Sequence, residues 1–205
     1  MSGIPVRCAH RPTSGGLVVP AVSLVHNGHA VFGNLDAARV REAFRHRLCQ
    51  ICAQPLTERL YVIVRPADEA NGRSVEPALH PECLRYAHAQ CPVLNGSATH
   101  YRDRSVLATH PAFRPCGDPT CPYPDKVKPG KDEAARRGQL VERYEAWMIA
   151  LEHYRLVPGK DNPSAPAGIA LDVPVLRKRL LRQAALPPEA EALLGQLRAL
   201  LDLEP

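Results

Sequence analysis

Two short motifs carry the side chains of this chain that are most suited to chemistry. Cys49 and Cys52 are two residues apart, as in a zinc knuckle, where a tight turn places two thiolates on one side of the backbone. His80 and Cys83 lie at i and i+3, and Pro81 stands where a helix would begin, so both side chains can reach one ion. Three sulfurs and one imidazole complete a tetrahedron. The sequence therefore predicts one structural Zn²⁺ site with closed coordination.

Two further cysteines raise the question of a second metal site. Cys116 and Cys121 lie in a proline-rich stretch and could form a looser metal loop. Their partners would come from residues elsewhere in the chain: Cys8, His10, His100 or His110. The alternative, which we favour over a metal loop, is a proline-rich loop with two free thiols or with a local disulfide in an oxidised sample. The chain has seven cysteines, an odd number, which fits metal ligation in a reducing cytoplasm better than a disulfide framework.

The elements that must position the first motif are a hairpin and a helix. Residues 17–33 are apolar runs around Asn27-Gly28, a dipeptide typical of two-residue hairpin turns. Asn34 or Asp36 then caps a helix through about residue 48. Its buried side would carry Val40, Phe44 and Leu48. Its arginines are left largely outward: Arg39, Arg41, Arg45 and Arg47.

A strand, a return strand and a helix are predicted between and after the two ligand motifs. Residues 60–65 are β-branched and aromatic and predict a strand, with a short return strand over 73–77. A helix follows from Pro81 to Cys91, and Cys91 is interpreted as a small buried hydrophobe on it. A knuckle, a hairpin and a helix whose first turn supplies the last ligands is the order of a treble-clef zinc finger. The predicted fold class is α+β, with the elements hairpin, helix, zinc knuckle, hairpin and helix.

The rest of the chain predicts an appended α-helical region. Apolar residues at helical spacing favour a helix over 131–155, with Leu140, Tyr144, Met148 and Leu151 on one side. A linker and two shorter helices, over 174–184 and 187–203, follow. The predicted organisation is a zinc-centred domain, an irregular proline-rich segment, a helix, a linker and a helical tail: residues 1–95, 96–130, 131–157, 158–173 and 174–205.

Composition limits the function classes. Aromatic residues make up 5% of the chain and there are 21 prolines, which indicates a modest core that a metal would help to stabilise. We expect no membrane segment, because no apolar run approaches ~20 residues, and no secretion signal, because the first residues have no basic region followed by an apolar stretch. With the cysteine usage, this predicts a cytoplasmic protein. The net charge of +5 is concentrated early, where residues 1–60 hold seven arginines against Asp36, Glu42 and Glu58. A small basic excess is compatible with a nucleic-acid partner and with a solvated helix face.

The zinc half resembles a group of uncharacterised proteins encoded by actinobacteria and their phages. The similar segments are Arg47–Leu56, which contains the knuckle, Ser74–Leu94, which contains the second ligand pair, and the opening Ile4–Pro12. The resemblance covers about residues 4–95, and the segment around Cys116 and Cys121 has no counterpart. It implies a zinc-binding module and specifies no mechanism.

Three functions compete on these residues. We favour a non-catalytic zinc module that contacts a protein, because four protein ligands leave no coordination position for water. The alternative is nucleic-acid binding, as in a phage or mobile-element regulator, with Arg39, Arg41, Arg45 and Arg47 on phosphates. A His-Asn-His-type nuclease is the enzymatic candidate, suggested by His26-Asn27-Gly28-His29. Those nucleases place the catalytic histidine between knuckle and helix, and residues 53–79 contain no histidine. No motif indicates a small-molecule substrate.

Overall fold

The computed structural model describes residues 3–26, 29–103, 131–159 and 166–200, and mixes helices with short antiparallel sheets. The strands are β1 Thr13–Ser14, β2 Leu17–Val18, β3 Ser23–His26, β4 His29–Leu35, β5 Arg59–Val64, β6 Arg73–Ser74, β7 Tyr144–Ala150, β8 Leu156–Pro158, β9 Pro166–Ala170 and β10 Arg177–Arg182. The helices are α1 Ala37–Arg45, α2 Pro66–Ala70, α3 Pro81–Gln90, α4 Pro92–Asn95, α5 Lys131–Arg136 and α6 Pro188–Leu200. Single 3₁₀ turns cover Val6–Cys8 and Leu151–His153. The expected α+β class is confirmed.

Two small hairpins precede α1. Strands β1 and β2 pair across Gly15 and Gly16, whose φ angles of 58° and 79° suit a two-residue turn that side chains other than glycine rarely adopt. Strands β3 and β4 pair from Ser23↔Leu35 to His26↔His29. The predicted hairpin is therefore confirmed for its second half, while Leu17 and Val18 belong to the earlier hairpin. Asn27 and Gly28, the predicted turn, lie outside the described residues.

Helix α1 begins directly after Asp36, one of the two predicted N-cap residues. The Asp36 carboxylate accepts hydrogen bonds from the backbone N–H groups of Ala38 and Arg39, at 2.8 and 3.1 Å. Phe44 is buried on the inner side, as expected. The helix ends at Arg45, and Arg47 has a φ of 50°, so Leu48 lies beyond the helix rather than on its last turn.

The central sheet corrects the prediction for residues 131–155. Its strand order is β10-β7-β5, antiparallel throughout, with β7 paired to β5 from Arg59↔Ala150 to Val64↔Glu145. The predicted helix is wrong, because within 131–155 only Lys131–Arg136 is α-helical, and Gly138, at a φ of 64°, separates it from the strand. Strand β7 is buried on both faces, and its near-continuous apolar sequence imitates the spacing of a helix.

A second sheet, ordered β6-β9-β8, joins the two halves of the chain. Ser74 pairs with Ile169, and Leu156 pairs with Ile169 from the other side. At Gly168, with a φ of 156°, a Cβ atom would lie 2.3 Å from the carbonyl oxygen of Ser74, so the two backbones can approach only with glycine there. Strand β9 lies inside the span that was predicted to be a linker.

The predicted helical tail is also partly wrong. Residues 177–182 form the edge strand β10, not a helix. Helix α6 is confirmed over the described part of 187–203, and none of its residues is buried. Because β7, β9 and β10 pair within sheets that contain β5 and β6, residues after 131 are not an appended α-helical region. Of the predicted irregular segment, residues 104–130 lie outside the described residues.

The core draws on both halves of the chain. Fully buried side chains include Leu60 and Val62 of β5, Leu84 of α3, Ile149 of β7 and Ile169 of β9. The predicted ligands Cys49, Cys52 and Cys83 belong to the same cluster of buried residues. Within the ranges given above, no helix combines the length and the apolar character needed to cross a membrane.

Candidate metal centre

The four predicted ligands converge in the core. The Sγ atoms of Cys49, Cys52 and Cys83 and a ring nitrogen of His80 all lie within 4.8 Å of one another, and all four side chains are fully buried. Two sulfurs bound to one zinc at about 2.3 Å in a tetrahedron lie about 3.8 Å apart. The cluster could therefore hold one metal ion with a small contraction.

The first two ligands are presented by a tight backbone turn. Positive φ angles of 50° at Arg47 and 62° at Ala53 reverse the chain on either side of Cys49 and Cys52. The N–H of Cys49 donates to the carbonyl oxygen of Gln54 at 2.9 Å, and the N–H of Ala53 donates back to Cys49 at 2.9 Å. These bonds close a loop around the two sulfurs, which is the geometry that the Cys-x-x-Cys spacing predicted.

The start of α3 presents the other two ligands. His80 is the N-cap residue and Pro81 occupies the first helical position, where a missing N–H costs nothing. The N–H of Leu84 donates to the carbonyl oxygen of His80 at 2.9 Å, which sets His80 and Cys83 on one face. Just before the helix, Leu79 forms an antiparallel bridge with Tyr61 of β5, so the sheet fixes where the helix begins.

A hydrogen bond on the far side of the imidazole orients His80. Its Nε2 lies 2.9 Å from the carbonyl oxygen of Pro55, which can only accept, so Nε2 carries the proton. Nδ1 then faces the cluster with its lone pair, 3.4 Å from the Sγ of Cys52. Fixing the tautomer through the distal nitrogen is typical of histidines that bind metals. We assign Nδ1 as the donor atom.

The electrostatics of the four groups favour a bound cation. Hydrogen bonds from Cys52 and Cys83 lower the pKa of the Cys49 thiol, and the corresponding bonds to Cys49 and Cys52 raise the pKa of Cys83. Burial opposes a charge on His80, but hydrogen bonds with Cys49 and Cys52 outweigh it and raise the pKa of the imidazole to about 10. The four groups therefore share protons among themselves through these hydrogen bonds. A divalent ion can replace the shared protons.

The donor set determines which chemistry is available. Three thiolates and one imidazole are the ligands of structural zinc sites, and thiolates select against Mg²⁺ and Ca²⁺, which prefer oxygen. Four protein donors complete a tetrahedral shell around zinc, so such an ion has no position for an activated water. The arrangement can stabilise a fold, and it lacks the open coordination position of a catalytic zinc.

The segment around the first 3₁₀ turn packs directly over the cluster. Arg7 pairs with Glu82 of α3 and donates to the side-chain oxygen of Gln54 at 3.0 Å. The Nε2 of His10 lies 3.0 Å from the carbonyl oxygen of Cys52. Between them the fully buried Cys8 places its Sγ 3.9 Å from that of Cys83. Burial raises the pKa of the Cys8 thiol.

Sequence reasoning missed this segment as part of the centre. It considered Cys8 and His10 only as partners of a second site with Cys116 and Cys121, and those two cysteines lie outside the described residues. His100 is exposed, with its Nδ1 3.0 Å from the hydroxyl of Thr99. Three of the seven cysteines are candidate ligands, so the sequence left four other thiols to place, and nothing in its spacing singled out Cys8.

The arginines proposed for nucleic acid are exposed, as expected: Arg39, Arg41, Arg45 and Arg47. Arg39 lies 3.9 Å from the carboxylate of Asp36, and the guanidinium of Arg47 lies over the ring of Tyr154, 5.6 Å from its centroid. No observation tests whether they bind phosphates. His29, from the string that suggested a nuclease, is also exposed.

A buried polar network at the opposite end of β5 was not predicted. Arg65 donates to Asp68 through Nε at 2.8 Å and Nη2 at 3.1 Å, and both side chains are almost fully buried. The hydroxyl of Tyr101 lies 2.9 Å from that of Tyr144 and donates to Glu142 at 3.3 Å. Arg65 and Asp68 are three residues apart. Tyr101, in contrast, meets Tyr144 and Glu142 across more than 40 residues, so local spacing could not have revealed the tyrosine contacts.

The fold and the cluster together define a class: an α+β protein with a buried Cys₃His cluster that could hold one metal ion. Comparison with protein-family models, with curated proteins and with solved structures finds no match.

Proposed function

We propose that this chain is a non-catalytic zinc protein, in which one structural Zn²⁺ holds the fold and the protein acts by binding a protein partner. The observation that supports it is the buried Cys₃His cluster, whose four donors come from the protein alone. A catalytic zinc would need an open position. The resemblance of residues 4–95 to actinobacterial and phage proteins implies the same kind of module.

We further propose that the zinc region is a treble clef. The order of knuckle, β5 and then α3 with two ligands in its first turn supports it. The returning part of the hairpin is short: Tyr61 and Leu79 exchange backbone hydrogen bonds at 2.9 and 2.8 Å, whereas β6 pairs with β9 instead of β5.

Elemental analysis of the purified full chain tests the metal. We expect one zinc per chain in the natural protein and none in Cys83→Ser, with Cys91→Ser as the matched control. Cys91 ends α3, is only half-buried and lies outside the cluster. Failure of the natural chain to bind zinc, as purified or after reconstitution, would overturn the proposal.

The partner surface that we propose is the apolar side of α6. Leu193, Leu197 and Leu200 follow i, i+4, i+7 and are 58, 45 and 80% exposed. A partner found by cross-linking the natural chain in cells should be lost when Leu193→Gln and Leu197→Gln are combined. The control is Arg198→Gln, on the opposite and polar side of α6, and it should keep the partner. Equal capture by all three proteins would refute this surface.

Nucleic-acid binding is the second candidate, supported by the exposed arginines of α1. Fluorescence anisotropy with DNA and RNA oligonucleotides at increasing salt tests it. Phosphate contacts would give a steep loss of affinity with salt, on the order of one ion released per contact. Replacing Arg41 and Arg45 by Ala should then reduce that slope, and a salt-independent or undetectable interaction would remove this candidate.

A further inference from the structure

A fifth sulfur lies beside the candidate metal centre. The Sγ of Cys8 is 3.9 Å from that of Cys83, close to the distance of about 3.8 Å between two sulfurs on one tetrahedral zinc. Cys8 is nevertheless outside the set of four donors that lie within 4.8 Å of one another. A closed tetrahedron has no fifth position, so with zinc in place Cys8 keeps a free thiol against a ligand sulfur.

The position of Cys8 is held from both sides. Arg7, one residue earlier, is tied to Glu82 and Gln54, and His10, two residues later, contacts the carbonyl oxygen of Cys52. Glu82 is the neighbour of Cys83 in α3. These contacts fix the two sulfurs against each other through residues that do not bind the metal.

We propose that Cys8 and Cys83 form a peroxide-sensitive modification site, in which oxidation joins the two sulfurs and releases the zinc. This inference rests on the proposed zinc function. It assigns Cys8 as the resolving thiol and Cys83 as the sulfur that is oxidised first. The two sulfurs must approach from 3.9 Å to about 2.05 Å, which becomes possible once Cys83 leaves the ion.

The chemistry balances with hydrogen peroxide as the oxidant. The thiolate of Cys83 attacks one peroxide oxygen, the O–O bond breaks, and a sulfenic acid and hydroxide form. The thiol of Cys8 then attacks that sulfenic sulfur, an S–S bond forms, and the S–OH bond breaks to give water with the thiol proton. Two electrons pass from the sulfurs to peroxide. Zinc is left with two thiolates and one imidazole, so its affinity falls.

A cavity large enough for a water-sized oxidant opens on the knuckle side of the cluster. An open cavity of about 270 Å³ is lined by Cys49, Ala53 and Arg11, among others. The cavity touches Cys49, so a Cys49–Cys52 disulfide is the competing product. Cys8 has the advantage of being free of the ion, whereas Cys49 and Cys52 are both held by it.

The test uses the zinc-loaded full chain, hydrogen peroxide and a chromogenic zinc chelator, followed by peptide mass spectrometry without reduction. The natural chain should release its zinc, gain a Cys8–Cys83 disulfide and recover zinc binding after treatment with a dithiol. Cys8→Ser should hold one zinc beforehand and release it on the order of tenfold more slowly, because it lacks a thiol at high effective concentration. Cys91→Ser should behave like the natural chain. Cys8→Ala replaces Cys8→Ser if the latter does not fold.

Three results would overturn the inference. A Cys49–Cys52 disulfide as the main product would assign the oxidation to the knuckle. Equal zinc release with and without Cys8 would remove its role as the resolving thiol. Loss of zinc from unoxidised Cys8→Ser and Cys8→Ala would make Cys8 a ligand. A natural chain that never binds zinc refutes the proposed function instead, and disulfide mapping on that metal-free chain still measures the Cys8–Cys83 pair.

Discussion

The two ends of strand β5 carry buried polar groups that are satisfied in different ways. Beyond its C-terminal end, Arg65 and Asp68 neutralise each other through two side-chain hydrogen bonds. Near its N-terminal end, the Cys₃His cluster contains three sulfurs that accept and donate hydrogen bonds only weakly. Arg65 and Asp68 are paired by protein groups alone, while the cluster could hold one metal ion.

The core therefore contains two kinds of buried polar site, one built from an ion pair and one from cysteines and a histidine. Both regions contact the same sheet, since Tyr61 pairs with Leu79 beside His80 and Val64 pairs with Glu145 beside Tyr144. A substitution that disrupts either region should therefore lower the stability of the whole fold. Only the cluster should make that stability depend on the concentration of a metal.

Removal of the metal should have the largest effect. Structural zinc contributes an apparent ~10–16 kcal/mol to folding in zinc-finger peptides at pH 7, as much as the ~5–15 kcal/mol that stabilises a typical domain. We expect a strong chelator to abolish the cooperative thermal transition measured by circular dichroism. Zinc added in excess should restore it. An unchanged melting temperature in chelator would contradict the comparison.

Disrupting the buried Arg65–Asp68 pair should have the second largest effect on stability. Arg65→Met leaves the buried Asp68 carboxylate without its guanidinium, with the backbone N–H of residue 65 still donating to it at 3.0 Å, and should cost about 3–5 kcal/mol in the free energy of unfolding by urea. Zinc content should stay at that of the natural chain. The control is Arg155→Met, which breaks the exposed pair with Asp172 and should cost about 0–1 kcal/mol. An equal loss of unfolding free energy in the two variants would show that burial of the pair does not determine its contribution to stability.

The pH dependence of zinc affinity should separate the two regions further. Protons compete with zinc for His80 and the thiols, so affinity falls as pH falls, by about tenfold (1.4 kcal/mol) per pH unit for each proton displaced. Because the pKa of metal-free His80 is raised to about 10, the imidazole still contributes between pH 8 and 9. Competition titrations with a zinc indicator measure this slope. A zinc affinity that does not change between pH 8 and 9 would rule out the predicted release of protons on zinc binding. Arg65→Met should leave the pH dependence of zinc affinity unchanged.

Removing one hydroxyl from the network should have the smallest effect. Tyr144→Phe deletes the partner of Tyr101 at 2.9 Å, and Tyr101 retains Glu142, so we expect a loss of about 0.5–1.5 kcal/mol by thermal unfolding. Tyr154→Phe deletes a hydrogen bond of 3.0 Å to the carbonyl oxygen of Phe44 and serves as the matched control. A loss several times larger than the control would mean that the network is cooperative.

The metal cluster could be predicted because each ligand pair is local. Cys49 and Cys52 share one turn, and His80 and Cys83 share one helical turn, so the spacing alone constrains both pairs. Cys8 could not be placed in the same way, since its contact with Cys83 spans 75 residues. Only the packing of the N-terminal segment over α3 brings the two sulfurs together.

The C-terminal half was mispredicted because its pattern is ambiguous without its neighbours. Tyr144, Met148 and Leu151 fit the period of a helix, yet β5 and β10 on either side make Tyr144–Ala150 a central strand. Pro166 and Gly168 suggest a loop, and the need for glycine appears only where its backbone meets Ser74. In both cases a partner distant in sequence overrides the local preference.

The pairing of β5 with β7 has a consequence for how the chain is made. Arg59 and Ala150 are register partners, so β5 cannot acquire this neighbour until the ribosome has synthesised residues well beyond the last candidate ligand, Cys83. At about 5–20 residues per second, the interval from Cys83 to Ala150 lasts about 3–13 s. During that time the nascent chain already contains all four candidate donors, so an ion could organise the knuckle and α3 before the central sheet exists.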